Sequence, residues 1–277
     1  MRKKLVMFAA AVLILSLLMA CSGCGQQDQE KQEPIDNIIK VGATSVPHAE
    51  ILKVAGKALE QSGYTLEVVE YEDYDGINSA VEDGTLDANY FQHITYLNES
   101  NLQNGFNLVN AGAIHFEPLA LYSEALDSLE EIEEGMTIAV PSEDTNEARA
   151  LKLLETNGLI TLNADADVLA TAADVEENKL NLKIVEVEGS EIADKMDDYD
   201  AVIINGNFAI QNGFDFSKTL AVEAADSVII ESYANVIAVK SGNENLTKIE
   251  ALYSALTSAD VKAFIEEEYK GAVVTLF

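Results

Sequence analysis

The chain has 277 residues, of which 48% are hydrophobic and 23% are charged, a composition typical of a globular protein with one or two domains. Its 48 acidic and 17 basic side chains give a net charge of −31, which argues against nucleic-acid binding because that requires a basic surface. Catalytic chemistry is restricted too, because the chain has only three histidines and no cysteine beyond Cys24 that could serve as a nucleophile, metal ligand or disulfide partner.

The first 20 residues have the pattern of a secretory signal peptide. Residues 2–4 are positively charged, and the uncharged run over residues 5–20 is shorter than the roughly 20 apolar residues of a comfortable membrane span. The sequence Leu18-Met19-Ala20-Cys21 resembles the lipobox at which bacterial prolipoproteins are cleaved. We therefore expect Cys21 to carry acyl chains, including palmitate, that anchor the protein at the outer face of the cell membrane.

Two alternatives remain for this region. Ordinary signal cleavage near Ala20 would leave Cys21 as an incidental thiol, and Cys24 is a second possible lipid acceptor with a poorer upstream match. The residues that follow are polar and offer almost nothing that could anchor a core. We predict a signal peptide over residues 1–20, then a lipidated cysteine and flexible linker over residues 21–38.

From Ile39 onward, β-branched runs alternate with helical patterns, which predicts an α/β fold with mixed, mainly parallel sheets. The predicted strands of the first series are 39–43, 66–69, 88–91 and 108–114, and its helices are 49–63, 77–83 and 95–104. The second series has strands at 119–122, 137–140, 183–187 and 201–204, with helices at 146–157 and 191–196. A strand at 233–239 and an amphipathic helix around 246–256 complete the chain.

The short tail after the second series decides the domain organisation. Two tandem domains are possible, but the tail is too small to fold alone, so its return to the first series is the simpler arrangement. This predicts one lobe from residues 39–118 and 232–277 and a second lobe from residues 119–231. Ligands bind at the carboxyl ends of strands in such sheets, so we expect a binding cleft between the lobes.

Aromatic and polar residues occur together at the predicted strand ends and helix starts. Individually they have ordinary explanations, because aromatic residues often pack in a core and asparagine at a strand end often only forms a turn. Their joint composition favours a binding site. In particular, the side-chain amides of Asn205 and Asn235 could accept hydrogen bonds from a ligand ammonium.

Arg149 lies in the first turn of a helix for which Asp144 is the predicted cap and Glu147 its capping-box partner. A cation there opposes the helix dipole. It is either a surface arginine paired with Glu147 or Glu143, or a guanidinium that binds a ligand carboxylate in bidentate fashion. Because basic residues are scarce, we favour the second interpretation.

The histidines allow an alternative metal site. His48, His93 and His115 could bind zinc or manganese together with Glu117, although no tight spacing such as H-E-x-x-H supports this. The motifs of serine hydrolases, P-loops and dinucleotide-binding folds are absent from the sequence. We therefore expect a binding protein without catalytic activity or cofactor, with a metal-binding lipoprotein and a secreted hydrolase as the rival hypotheses.

Several segments resemble, in order, the methionine-binding lipoproteins of ABC importers, also called the NlpA lipoprotein family. They are VGAT, PHAEIL, DANYFQH, GAIH before EP, NEARAL, AVIINGNFA and YAN. The resemblance runs from about Val41 to Lys240 and more weakly to the end. It implies a two-lobed periplasmic-binding-protein fold, type II-like, that closes on L-methionine, a close analogue or a methionine-containing dipeptide. It also implies delivery of the ligand to a membrane permease driven by a cytoplasmic ATPase.

The same resemblance implies that eight residues contact the ligand: Tyr74, Phe91, His93, Tyr96, His115, Arg149, Asn205 and Asn235. The aromatic residues would surround the thioether, Arg149 would bind the carboxylate, and the two asparagines would orient the head group. The sequence departs from the family pattern at Ser45-Val46, Thr95 and Phe208, which affects the loops near the cleft.

Overall fold

The computed structural model describes residues 37–277. The predicted signal peptide, the lipidated Cys21 or Cys24 and nearly all of the linker lie outside these residues. Within the described part of the chain, none of the helices combines the length and the apolar character needed to span a bilayer.

The first series of elements agrees in type with the prediction. It comprises β1 (Ile38–Thr44), α1 (Glu50–Gln61), β2 (Thr65–Tyr71), α2 (Ile77–Glu82), β3 (Ala88–His93), α3 (Ile94–Asn104) and β4 (Leu108–Phe116). A turn at Ser45–Ala49, which contains a cis peptide bond before Pro47, connects β1 to α1. Gly105 ends α3 in the left-handed conformation (φ 68°), which glycine adopts without steric cost.

The second series contains more strands than predicted. It comprises β5 (Ala120–Tyr122), β6 (Thr137–Pro141), α4 (Asp144–Thr156), β7 (Thr161–Leu162), β8 (Val175–Glu177), β9 (Lys183–Val187), β10 (Ala201–Ile204), α5 (Gly206–Gln211) and β11 (Ala221–Val222). The helix predicted at 191–196 is instead a pair of short 3₁₀ turns. Ile192 is buried, but the second turn, Ala193–Asp198, buries no residue, so the segment lacks the apolar stripe of an amphipathic helix.

The remaining elements are α6 (Ser227–Tyr233), β12 (Ala234–Lys240), α7 (Thr247–Leu256), α8 (Ala259–Tyr269) and β13 (Val274–Thr275). The prediction missed α6 and placed Tyr233 in the strand. Asp226 starts this helix, because its side chain accepts hydrogen bonds from the amides of Val228 and Ile229.

The strands form two main sheets, in the orders β13-β4-β12-β3-β1-β2 and β11-β5-β10-β6-β9, and β7 pairs with β8. Within residues 37–277, the two main sheets have four parallel strand pairings and five antiparallel ones, so they are mixed rather than mainly parallel. The reason is the route of the chain. β5 begins beside the carboxyl end of β10, and β12 begins beside the carboxyl end of β3, so each must run antiparallel to that neighbour.

Each main sheet has its own hydrophobic core. Buried residues of α1, α7 and α8 pack with Ile39 and Val41 of the six-stranded sheet, and Leu151 and Leu154 of α4 pack with Ile138 of the five-stranded sheet. The carboxyl ends of the parallel strands therefore have rigid support, and the residues that follow them can be held in defined positions.

Candidate functional site

One cavity brings most of the predicted residues together. It has about 350 Å³ of empty space, part of it open to solvent, and its lining residues are Tyr74, Phe91, Gln92, His93, Tyr96, Glu117, Asn146, Arg149, Asn205, Gly206, Asn207 and Asn235. Seven of the eight residues predicted to contact a ligand are in this lining, and their ligand contacts stay a prediction. The eighth, His115, is fully buried and does not line the cavity.

Sheet register explains part of this grouping. In the pairing of β12 with its two neighbours, Asn235 lies opposite His93 of β3 on one side and His115 of β4 on the other. Glu117 follows β4, two residues after His115, and its side chain lines the cavity. The side chain of His115 does not reach the lining. The position at which β4 ends therefore sets His115 back from the cavity.

Aromatic rings form one wall of the cavity. The Tyr74 ring centroid lies 5.5 Å from that of Phe91, 5.6 Å from that of Tyr96 and 5.1 Å from that of Phe208. The Tyr74 hydroxyl donates a 2.7 Å hydrogen bond to Asn207 Oδ1. Burial raises the pKa of Tyr74 well above its ordinary value, so the hydroxyl remains a donor. This wall is suited to an apolar ligand group.

His93 links β3 to α4. Its Nδ1 accepts a 3.0 Å hydrogen bond from the Tyr96 amide, and its Nε2 lies 3.0 Å from Asn146 Oδ1. Because Nδ1 is an acceptor, Nε2 carries the proton and donates to Asn146. Burial lowers the pKa of His93 to about 3, with a further lowering by Arg149, so the ring is neutral. Both ring nitrogens are occupied, so among residues 37–277 His93 does not join the other members of the metal site that the sequence suggested, His48, His115 and Glu117.

Arg149 is buried, with a side chain only 5% exposed, which excludes the surface interpretation. Its Nε lies 2.8 Å from Glu223 Oε1, its Nη2 also donates to Glu223, and Nη2 donates a 2.6 Å hydrogen bond to the carbonyl oxygen of Glu117. The guanidinium lies 4.6 Å from the Tyr233 ring centroid. Among residues 37–277, Nη1 alone of its three nitrogens has no protein acceptor, so Arg149 cannot offer an incoming carboxylate the bidentate contact that we expected.

The predicted capping box of α4 is wrong. Asp144, the predicted cap, is the first residue of the helix; Glu143 holds the cap position, and its side chain makes no cap hydrogen bond. Asp144 Oδ2 instead accepts a 2.8 Å hydrogen bond from Gln103, and Glu147 Oε1 accepts one of 2.9 Å from the Ala172 amide. Both carboxylates therefore hold distant segments rather than the first turn of their own helix.

A buried cluster of His48, His115 and Glu117 lies behind the cavity. Their ligand atoms are within 4.8 Å of one another, an arrangement that could hold a metal ion. However, hydrogen bonds already account for the ring nitrogens: His115 Nε2 lies 2.7 Å from Glu117 Oε1, and its Nδ1 contacts the Tyr90 hydroxyl. His48 Nδ1 lies 2.7 Å from Thr44 Oγ1. The cluster is thus satisfied without a metal ion.

Glu117 is a cavity residue that the sequence suggested only as a metal ligand. Burial raises its pKa, but the hydrogen bond from His115 and the nearby His48 and Arg149 outweigh burial, and the net pKa lies below the ordinary value. The carboxylate is therefore ionised at neutral pH. It lies against Gly206, where a Cβ atom would come within 2.8 Å of Glu117 Oε2, so glycine permits this approach.

Two polar atoms of the cavity lining are buried without a hydrogen-bond partner among residues 37–277. They are Asn205 Oδ1, an acceptor, and Asn207 Nδ2, a donor. An unpaired buried polar group costs about 1–3 kcal/mol, so a ligand with a matching donor and acceptor would remove this cost. Asn207 is not among the eight residues predicted to contact a ligand, although it follows Asn205 by two residues in the same strand-end segment.

Residues 39–277 match the family model described as NlpA lipoprotein. The chain is 41% identical over 276 residues to methionine-binding lipoprotein MetQ of Bacillus subtilis (strain 168), and the match covers 98% of each chain.

Two solved structures have the same architecture. A nutrient binding protein from Burkholderia cenocepacia bound to methionine is 37% identical, with a TM-score of 0.83, and the match covers 86% of this chain and 100% of that one. An ABC transporter periplasmic substrate-binding protein from Coxiella burnetii is 34% identical, with a TM-score of 0.81, and the match covers 86% and 99% of the two chains. These matches confirm the two-lobed α/β binding-protein fold and the family predicted from the motifs. The chain belongs to the NlpA lipoprotein family.

Proposed function

We propose that this protein is the substrate-binding lipoprotein of an ABC importer and that it binds methionine in the cavity described above. The observation that carries the proposal is the division of the cavity into two ends. The rings of Tyr74, Phe91 and Tyr96 pack against one another at one end, and at the other Arg149 donates a hydrogen bond to the carbonyl oxygen of Glu117. This arrangement matches a zwitterionic head group with an apolar tail, and the names of the related proteins support the same ligand.

The polar end offers partners for both charges of an amino acid. The ionised carboxylate of Glu117 and the unpaired Asn205 Oδ1 are acceptors for the ammonium group. Arg149 Nη1 and the unpaired Asn207 Nδ2 are donors for the carboxylate. Closure around the ligand would exclude water, so each charge of the ligand needs such a partner.

The thioether would lie among the rings of Tyr74, Phe91 and Tyr96. Contacts between sulfur and aromatic rings contribute about 0.3–1.5 kcal/mol each. The space enclosed between the aromatic and polar groups of the lining is small, which favours a single amino acid over a dipeptide.

The transport role requires two lobes and a membrane anchor. We propose that residues 39–118 with 232–277 form one lobe and that residues 119–231 form the other, a division supported by the strands of the two main sheets. We also propose that a lipid on Cys21 keeps the protein at the outer face of the cell membrane. There it delivers its ligand to a permease driven by a cytoplasmic ATPase. Nothing in this cycle requires the protein to alter its ligand chemically.

Isothermal titration calorimetry of the purified full-length protein tests the ligand. Saturable binding of L-methionine, with weaker or no binding of a glycine–methionine dipeptide, is expected, and D-methionine is titrated beside them. Titrations with zinc and manganese test the rival hypothesis. Heat with a metal ion and none with any methionine compound would overturn the proposal in favour of a metal-binding lipoprotein.

The anchor has a separate test. Replacement of Cys21 by alanine removes the predicted acceptor, so the variant should move from the membrane pellet to the soluble fraction when cells are fractionated. Cys24→Ala is the matched control and should stay in the pellet. If the Cys21→Ala protein still pelleted with membranes, lipidation at that residue would be ruled out.

A further inference from the structure

Asn235 connects the cavity to the buried cluster behind it. Its side chain lines the cavity, and its Oδ1 lies 3.1 Å from His48 Nε2. No hydrogen bond within residues 37–277 involves its Nδ2 group. The direction in which this amide points therefore depends on whether His48 Nε2 donates or accepts.

The surroundings of His48 decide this question. Glu117 Oε1 lies 3.3 Å from His48 Nε2, and a carboxylate this close favours a proton on that nitrogen, because it would repel a lone pair. On the other side, His48 Nδ1 can then accept the 2.7 Å hydrogen bond from the Thr44 hydroxyl. Burial lowers the pKa of His48 to about 4, so only one ring nitrogen carries a proton at neutral pH.

We propose that His48 is a positioning residue that sets the amide of Asn235 with Oδ1 turned inward and the NH₂ group turned into the cavity. Asn235 then donates a hydrogen bond to the ligand carboxylate. This is the reverse of the sequence-based expectation that it accepts from the ligand ammonium. The inference rests on the proposed function, because it assigns a role within the same site.

The two asparagines therefore bind different groups of the ligand. Asn205 caps α5 by position but makes no side-chain cap bond, and its unpaired Oδ1 remains for the ammonium. Asn235, held by His48, belongs to the carboxylate side with Arg149. Without His48, the Asn235 amide could rotate by 180° and present either group, so the site would lose part of its preference for a carboxylate.

Ligand selectivity tests this role. Dissociation constants for L-methionine and L-methioninamide, in which the carboxylate is replaced by an amide, are measured by calorimetry for the wild type, His48→Leu and His48→Gln. We expect the preference for methionine over methioninamide to fall about tenfold in His48→Leu, in line with the loss of one oriented hydrogen bond to a charged group. Glutamine can donate from a similar position, so His48→Gln should recover most of the preference.

Tyr90→Phe is the matched control. It removes a buried hydroxyl from the same cluster, but that hydroxyl contacts His115 rather than Asn235, so the wild-type preference should persist. Circular dichroism confirms that each variant is folded. An unchanged preference in folded His48→Leu would overturn the inference.

A second measurement needs neither ligand nor mutation. Nitrogen-15 NMR of the His48 ring in the full-length protein at neutral pH should show a protonated Nε2 and an unprotonated Nδ1. The opposite tautomer would reject the inference even if His48→Leu failed to fold. Failure of the wild type to bind methionine would instead reject the proposed function, while the tautomer would still report on His48.

Discussion

Glu223 holds one edge of the Arg149 guanidinium, with its two carboxylate oxygens 2.8 and 2.9 Å from Nε. The two side chains are 9% and 5% exposed, so both charges are largely removed from water. The cation available to a ligand is therefore the remaining Nη1 group of an arginine that already has a counterion. A buried pair of this kind leaves a costly unpaired charge when either partner is removed.

Replacement of Glu223 by alanine should lower the free energy of unfolding by about 3–5 kcal/mol, because it leaves Arg149 buried without its partner. Urea denaturation followed by circular dichroism measures the change. The control is Glu191→Ala, which breaks an ion pair with Lys195 whose side chains are 55% and 43% exposed. That variant should stay within about 1 kcal/mol of the wild type.

A double variant of the same pair distinguishes an effect on folding from an effect on binding. Arg149→Met combined with Glu223→Leu removes both charges, so the double variant should be more stable than Glu223→Ala. Calorimetry should nevertheless show that it has lost methionine binding, because the donor for the carboxylate is gone. A double variant that bound methionine as tightly as the wild type would exclude Arg149 from the site.

The site was predictable from the sequence where polar side chains lie at or next to the ends of strands. His93, Asn205 and Asn235 each lie at the end or start of a strand, and the cavity contains all three. The partner of Arg149 was not predictable in this way. Glu223 follows β11, a strand of two residues with no readable pattern, and lies 74 positions along the chain from Arg149.

In the fold as well, local features were predictable from the sequence and long-range ones were not. Alternating strands and helices indicated the α/β class, and the helix predicted over residues 95–104 ends where α3 ends. β5 runs antiparallel to β10, and β12 runs antiparallel to β3, because of the route that the chain takes between the sheets. Local periodicity does not encode that route. Likewise, no sequence pattern separates His115, which supports Glu117, from a residue that lines the cavity.

The charges of the cavity predict an order of affinities for methionine analogues. In the lining, the positive charge of Arg149 is already paired with Glu223 behind it, whereas Glu117 adds a negative charge, so an ammonium group is needed more than a carboxylate. L-methioninamide, which keeps the ammonium, should bind at least tenfold more tightly than N-acetyl-L-methionine, which keeps only the carboxylate. Competition calorimetry against L-methionine measures both. The reverse order would contradict the assignment of Glu117 as an ammonium partner.

The neutral, buried histidines should make stability depend on pH. Burial lowers the pKa of His48 to about 4 and that of His93 to about 3, from an ordinary value of 6.5. Below pH 6.5 the unfolded chain takes up protons that the folded protein does not. The stability contributed by the neutral rings is thus fully present above pH 6.5 and is lost as the pH falls toward 4, by about 1.4 kcal/mol per pH unit for each histidine.

His93→Gln isolates this effect from the titration of the many carboxylates. Glutamine can keep a hydrogen bond to Asn146 but does not titrate, so the stability advantage of the wild type over the variant should shrink by about 2 kcal/mol between pH 6.5 and pH 5. Urea unfolding of both proteins at the two pH values gives the difference. A constant difference would show that His93 keeps its ordinary pKa, despite its burial and the neighbouring Arg149.

Tyr74 and Asn207 make a hydrogen bond across the cavity, and it should slow ligand release. Tyr74 follows β2 of the six-stranded sheet, Asn207 follows β10 of the five-stranded sheet, and the bond between them is 2.7 Å long. Tyr74→Phe keeps the ring on the aromatic wall but removes this bond, so methionine affinity should fall about three- to tenfold. Because the bond can form only when the two sides of the cavity are together, the loss should appear as faster dissociation in stopped-flow measurements. Tyr64→Phe, a hydroxyl deletion outside the cavity lining, should leave both rates unchanged, and equal dissociation rates for the two variants would mean that the Tyr74 hydroxyl does not hold the cavity closed.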